Sequence, residues 1–280
     1  MRQSERQSIL RWEEGLAPRE APDELAVEEP LEIRLLGRSV MVTMRTPGHD
    51  QELAAGFLLS EGVIRDRAEL RRIRPVLRKS ACNVINVGLA PRVAVDLASL
   101  SRHVFASSSC GLCGKATIEA VHGKFPPLEA GFEVPAGLLA SLPQRLLDSQ
   151  RVFERTGGLH AAVVFDAEGE IVVAREDVGR HNAVDKVLGH ALLGGLLPLE
   201  RHVLMVSGRA SFEIVQKALA ARIPVVAAVS APSSLAVEFA HESSQTLVGF
   251  LRNGRMNVYS QPERIRFPAA RKATVELLRA

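Results

Sequence analysis

The sequence predicts an α/β chain fronted by a smaller α+β unit, and three observations carry that prediction. From residue 160 onward, short β-branched runs alternate with stretches of helical periodicity, the pattern of a mainly parallel sheet with helices on both faces. Before residue 100 the strand-like runs come in pairs around one helix, which suits α+β order. Aromatics make up only 4% of a chain that is 46% hydrophobic, so Leu, Val, Ala and Ile must build the core.

Residues 1–22 are polar, charged and without clean periodicity, and read as a flexible arm. A small α+β domain is expected over 23–100. Its strands lie around Leu31–Leu35 and Val40–Met44, a helix runs from Asp50, a possible cap, to about Ser60, and Gly62 sits where that helix stops. After a charged patch from Arg65 to Arg74, two more strands are expected at Asn83–Leu89 and Arg92–Leu97. Residues 101–134 read as a connector and 135–280 as a three-layer α/β domain. In the latter, Pro135 opens a leucine-lined helix. Strands follow at His160–Phe165, Ile171–Arg175, Val203–Ser207, Val225–Val229 and Thr246–Leu251, with helices at Asn182–Leu193, Phe212–Ala221 and Leu235–His241. Asn253-Gly254 then turns the chain into Met256–Tyr259, a strong hairpin signal.

Composition excludes several classes. The net charge of +3 does not argue for nucleic acid, although residues 251–280 carry seven Arg and Lys against two Glu. The N-terminus lacks the apolar core of a secretory signal, and no apolar run reaches the ~18 residues needed to span a bilayer. Three cysteines make no disulfide framework, so a cytoplasmic protein with reduced thiols is expected.

Two of those cysteines, Cys110 and Cys113, form a Cys-x-x-Cys within Ser107–Gly114. The serines and glycines around them have little to bury, which predicts an accessible loop. A helix starting near Lys115 would direct its free amides and positive end at the sulfurs, favouring thiolate. Zinc needs two further ligands; His103 or His122 could complete a site, as a zinc-structured scaffold would require, but no second Cys-x-x-Cys or His-x₃-His pairs with the first, so no metal ligand is assigned. A thioredoxin-like centre needs a preceding strand that Arg102–Ser109 does not resemble. A serine hydrolase would need a Gly-x-Ser-x-Gly elbow, which is absent.

Other polar clusters fall at predicted strand ends, where ligands of open α/β sheets bind. Glu176–Lys186 offers Arg180, His181 and Asn182 for an anion or base; His181 and Asp185, four apart, can hydrogen-bond. Ser207-Gly208-Arg209 opens the next helix and can take phosphate, with Ser211 as the cap of a routine turn in the plainer reading. Thr156–His160 carries paired glycines that let backbone approach a ligand. Phe250, Leu251, Arg252, Asn253, Gly254 and Arg255 place two arginines at a hairpin tip. Each cluster also fits an ordinary turn or solvated face. Together they suggest a phosphate-rich ligand.

Gly56–Gly62, Ser109–Gly114, Thr156–Ala162, Glu176–Lys186, Ser207–Arg209 and Gly249–Tyr259 resemble segments of the FdhD family, the formate dehydrogenase accessory sulfurtransferases. The resemblance covers about Glu28 to Tyr259. It implies a homodimeric protein that accepts sulfur from a cysteine desulfurase and carries it to the molybdenum cofactor of formate dehydrogenase, the bis(molybdopterin guanine dinucleotide) form. It further implies a persulfide on Cys110, cofactor contact through Phe250–Arg255, and a C-terminal domain like the cytidine deaminase fold. The deaminase zinc signature is missing, since His160 is followed by Ala161-Ala162. Cys113 could relay the sulfur or release it. A cofactor chaperone without covalent sulfur chemistry is the alternative.

Overall fold

The chain begins with β1 (Ser4–Arg11) and β2 (Arg19–Ala26), paired antiparallel from Ser4↔Ala26 to Arg11↔Arg19. The segment expected to be a flexible arm is thus a hairpin. Its strands escape the usual alternation signal because most of their side chains lie in solvent, Leu10 included. The structure, a computed structural model, describes residues 2–76, 83–95 and 114–268.

A four-stranded sheet follows, built from β3 (Glu29–Leu35), β4 (Arg38–Arg45), β5 (Leu70–Pro75) and β6 (Val84–Leu89) in the order β4-β3-β6-β5. The helix α1 (Asp50–Ser60) packs beneath it, with Leu53, Phe57 and Leu58 buried. Two expectations need correction here. Residues 93–95, in the expected strand Arg92–Leu97, form no strand. The fourth strand is β5, inside the charged patch. It occupies a sheet edge, where Leu70 is buried while Arg71, Arg72 and Arg74 remain exposed. Asp50 is not the cap of α1 but its first residue, and it binds Arg45 through two hydrogen bonds of 3.0 and 2.9 Å.

After α2 (Gly114–His122) and β7 (Val134–Pro135), α3 (Ala136–Ser149) and the short α4 (Phe153–Thr156) lead into the second half. Its elements are β8 (His160–Phe165), β9 (Ile171–Asp177), α5 (Arg180–Leu193), β10 (Val203–Val206), α6 (Phe212–Ala220), β11 (Val225–Ala228), α7 (Ser234–Glu242), β12 (Thr246–Arg252) and β13 (Arg255–Ser260). Six of these strands form one sheet in the order β13-β12-β11-β10-β8-β9. Only β10, β11 and β12 run parallel. The pairs β8–β9 and β12–β13 are joined by tight turns, which permit antiparallel pairing alone, and β8 also opposes β10. The sheet expected to be largely parallel is therefore mixed. A short strand β14 (Ile265–Arg266) returns to pair with β7.

Alternate residues of each strand enter two separate cores, as the period of two requires. Ala161, Val163 and Phe165 meet α3 on one face; Ala162 and Val164 meet α5, α6 and the small sheet on the other. The second of these cores is continuous from Leu31 to Leu247. The helices α1 and α5 touch backbone to backbone within it. A Cβ on Gly56 would lie 1.8 Å from the Asp185 carbonyl oxygen, and one on Gly189 1.8 Å from that of Glu52.

Candidate functional site

The parallel strands β10, β11 and β12 all end on one edge of the large sheet, and β8 begins there. Ser207 continues the ladder by its backbone, donating to Ala161 O at 3.0 Å, while its hydroxyl accepts from Ala161 N at 2.9 Å. Gly208 then turns against His160 and Arg180. A Cβ there would meet His160 Nδ1 at 3.3 Å and Arg180 Cδ at 3.6 Å. The glycine brings the Ser207–Arg209 turn and the start of α5 together.

Buried charge holds that start in place. Lys186 Nζ and Asp177 Oδ2 are 2.6 Å apart and wholly buried. Lys186 also donates to Thr46 O at 2.9 Å, and Asp177 accepts from Gly179 N at 2.8 Å and Asn182 Nδ2 at 3.0 Å. Asn182 is thus engaged in packing, not in recognition. The neighbouring Glu176 clamps the chain before β8: its carboxylate accepts from Phe153 N at 2.7 Å and Val152 N at 3.0 Å.

The expected His181–Asp185 hydrogen bond is not formed. Asp185 turns inward to Lys217 Nζ at 2.8 Å and to the Ser60 hydroxyl at 3.0 Å. Burial pushes its carboxyl up, against the pull of the Lys217 ammonium. Burial would lower Lys217, but Asp185 together with Glu61 and Glu213 outweighs it and holds the ammonium above its ordinary value. His181 faces the other way, with Nε2 at 3.1 Å from Ser211 Oγ and 3.0 Å from Glu213 Oε2. Its hydrogen bond keeps Glu213 below the usual carboxylate range. Ser211 spends its hydroxyl there and makes no side-chain cap to α6.

Arg180 differs from these neighbours. It is half-buried, and its Nε is shielded from solvent without a hydrogen-bond partner among the described residues. Nearby, burial and the charges of Arg180 and His181 push His160 below its ordinary value, so its imidazole is neutral at pH 7. Arg209 is exposed on the adjoining turn. This edge therefore carries cationic groups with capacity left over for an anion, beside the amides that open α5.

The hairpin β12–β13 leaves from the same edge, two strand positions beyond β10 and so about 10 Å across the sheet. Asn253 and Gly254 both have positive φ, 52° and 69°, as the predicted turn requires. Arg252 and Arg255 face each other in register and are exposed; the Arg252 guanidinium lies 5.9 Å from the Phe250 ring centre. Leu251 is the exception among the predicted contacts. It is fully buried in the α3 core and unavailable to a ligand, because the bulge at Phe250 and Leu251 turns it inward.

Between α3 and the Ser207 turn lies a cleft of about 360 Å³ lined by Gln150, Phe153, Gly157, Gly158, His160 and Ser207. Gln150 and Phe153 were not legible as site residues: Gln150 ends a leucine-patterned helix and Phe153 looks like one more core side chain. Cys110 and Cys113, like Cys82, lie outside the described residues. Among the described residues no group of His, Cys, Asp and Glu could hold a metal ion, and no helix is long and apolar enough to cross a membrane.

The model of the FdhD/NarQ family matches residues 26–266. The chain belongs to the FdhD/NarQ family. The resemblance drawn from the motifs is borne out. The FdhD/NarQ match begins as β2 ends, so the hairpin precedes it. A sulfur carrier protein FdhD of Streptomyces avermitilis is 54% identical over 281 aligned positions, covering 96% of this chain and 98% of the relative. One of Mycobacterium tuberculosis is 51% identical, covering 87% and 92%. The crystal structure of a putative formate dehydrogenase accessory protein from Desulfotalea psychrophila superposes with a TM-score of 0.75 at 30% identity, covering 95% of this chain and all of that one. The mixed α/β architecture is thus shared with that accessory protein.

Proposed function

We propose that the protein is a sulfur carrier serving formate dehydrogenase, which takes sulfur from a cysteine desulfurase on Cys110 and passes it to the bis(molybdopterin guanine dinucleotide) molybdenum cofactor. The observation that carries the cofactor half of this reading is Arg180, a half-buried guanidinium at the start of α5 whose Nε has no hydrogen-bond partner among the described residues. A dinucleotide cofactor brings pyrophosphates, and planar guanidinium groups bind them in pairs of hydrogen bonds. Arg209 and the hairpin arginines extend the same cationic edge. The sulfur half rests on the relatives being sulfur carrier proteins and on the Cys-x-x-Cys directly ahead of α2.

In this reading the Cys110 thiolate attacks the outer sulfur of the desulfurase persulfide. A new S–S bond forms on Cys110, the old one breaks, and the desulfurase cysteine leaves as thiolate. Cys113 has two compatible roles. It can take the outer sulfur itself, or attack Cys110 Sγ, expel hydrosulfide and leave a disulfide that a dithiol must reduce. A homodimer in the cytoplasm and a deaminase-like C-terminal scaffold belong to the same reading.

Incubation with a desulfurase and cysteine, followed by peptide mass spectrometry, tests the sulfur half. One added sulfur is expected on the Cys110 peptide. A peptide spectrum without added sulfur on either Cys110 or Cys113 would end the proposal.

A further inference from the structure

The small sheet buries one face on α1, and its other face carries a pattern that the cofactor edge does not use. On β3, Leu31, Ile33 and Leu35 point inward, so Pro30, Glu32 and Arg34 point outward. Val42 and Met44 lie opposite Glu32 and Pro30 on the edge strand β4, and are 64% and 47% exposed. At the other edge Arg72 and Arg74 lie opposite Gly88 and Asn86, on either side of the inward Ile73, and both are exposed. Gly88 leaves room for Arg72 to lie across the sheet: a Cβ there would meet Arg72 Cγ at 3.0 Å and Nε at 3.2 Å.

The charge at this edge is local. Residues 65–74 with Arg92 hold six arginines against Asp66 and Glu69, an excess of four in a chain whose total is +3. Arg92 reaches Asp66 only at 3.9 Å, and Arg71, Arg72 and Arg74 have no ion-pair partner among the described residues. Charged side chains also keep sheet edges from pairing with one another, but that role is indifferent to the sign of the charge. The patch lies near the sulfur chemistry. Helix α2 starts directly after Cys113, and the chain leaving its far end packs on the end of α1: Lys124 Nζ donates to Glu61 O at 3.0 Å, and Phe125 Cζ would lie 3.3 Å from a Cβ on Gly62. The helix spans about 12 Å, and Arg65 stands three residues beyond Gly62. A standard interface covers about 800 Å² of each partner, a disc roughly 30 Å across, which takes in both the start of α2 and the arginines.

We infer that the outer face of the small sheet is the docking surface for the protein that donates sulfur, with an acidic segment of that partner along Arg72 and Arg74 and an apolar footing on Val42 and Met44. This docking rests on the proposed function, which requires a desulfurase to reach Cys110. An apolar centre beside a polar rim is how protein interfaces are built. The positive edge selects a partner surface of opposite sign and speeds encounter without entering the chemistry. The exposed Val42 and Met44 favour a protein over a nucleic acid, whose backbone offers them nothing apolar.

The test compares two sulfur donors on the full chain, read as the rate of sulfur addition to the Cys110 peptide. One is a cysteine desulfurase with cysteine. The other is glutathione persulfide, which needs no docking: the Cys110 thiolate takes its outer sulfur and glutathione leaves as thiolate. Arg72→Glu with Arg74→Glu keeps the edge charged but reverses its sign. It should slow loading by the desulfurase ~10-fold or more at low salt and leave loading by glutathione persulfide unchanged. Added salt should slow the parent and speed the variant. Arg72→Gln with Arg74→Gln should show a smaller loss of the same kind, which decides the matter if the reversed pair folds poorly. Desulfurase loading at the parent rate in the folded variants, or equal losses with both donors, overturns the docking surface. A parent protein that takes sulfur from neither donor would end the sulfur-carrier reading, and the docking surface with it.

Discussion

Replacing Gly56 by alanine would place a methyl carbon 1.8 Å from the Asp185 carbonyl oxygen, about 1.6 Å inside ordinary contact. The obstacle is backbone, not the movable end of a side chain. Helices α1 and α5 would have to part, and the buried contacts between the small sheet and the large one would loosen with them. Intrinsic helix preference acts in the opposite direction, favouring Ala over Gly by ~1 kcal/mol in a helix interior. Overpacking of a dense core costs ~1–3 kcal/mol, and more where backbone must move. The net expectation is a loss of at least ~1–2 kcal/mol, read as a lower urea midpoint with an unchanged slope. Gly189→Ala should act alike, since its Cβ meets the Glu52 carbonyl oxygen at 1.8 Å. The two losses should not add, because one separation relieves both clashes. Because α5 also carries Arg180 and His181, nucleotide affinity should fall with stability. A Gly56→Ala protein as stable as the parent, or more so, would refute the close-contact argument.

Three further outcomes follow from the same geometry. Lys186→Met strands Asp177 in the core and should cost ~3–5 kcal/mol; adding Asp177→Asn should recover part of it, and thermal unfolding that shows equal loss in single and double variants would argue against the pair. Arg180→Ala should weaken guanosine diphosphate binding ~10-fold or more in calorimetry at fixed salt, with smaller losses for Arg252→Ala and Arg255→Ala on the exposed hairpin; unchanged affinity in Arg180→Ala would remove the start of α5 from the site. Glu52 sets a pH dependence: burial works to raise its carboxyl, but hydrogen bonds from His49, Arg175 and His190 outweigh it and hold the group well below the usual range. Its contribution to stability is complete above the unfolded value of about 4.3 and is lost as pH falls below it. Glu52→Gln should therefore lower the melting temperature near neutral pH and converge with the parent in acid, whereas parallel curves would contradict the assignment.

Much of the second half was legible because its signals were local. Val203–Val206 and Val225–Ala228 are short β-branched or small runs between helices, and Asn253-Gly254 forces its own turn. Strand direction was not legible, since periodicity carries no sense of parallel or antiparallel. The strand β5 was hidden by its arginines, which an edge strand tolerates because one face meets water. The cationic cluster at the sheet edge was readable from Gly-Arg pairs after strands. The inward turn of Asp185 and the burial of the Lys186–Asp177 pair were not, because each depends on partners more than a hundred residues away, Ser60 and Thr46.

In the proposed function sulfur travels through Cys110 to a cofactor held at the arginine edge. Its most direct measurement is formate dehydrogenase activity in cells lacking the native gene and supplied with a Cys110→Ala, Cys113→Ala variant. Stability and guanine nucleotide affinity would be matched to the parent beforehand. An assembled but inactive enzyme is expected. Full activity would contradict sulfur transfer and leave the protein as a cofactor chaperone.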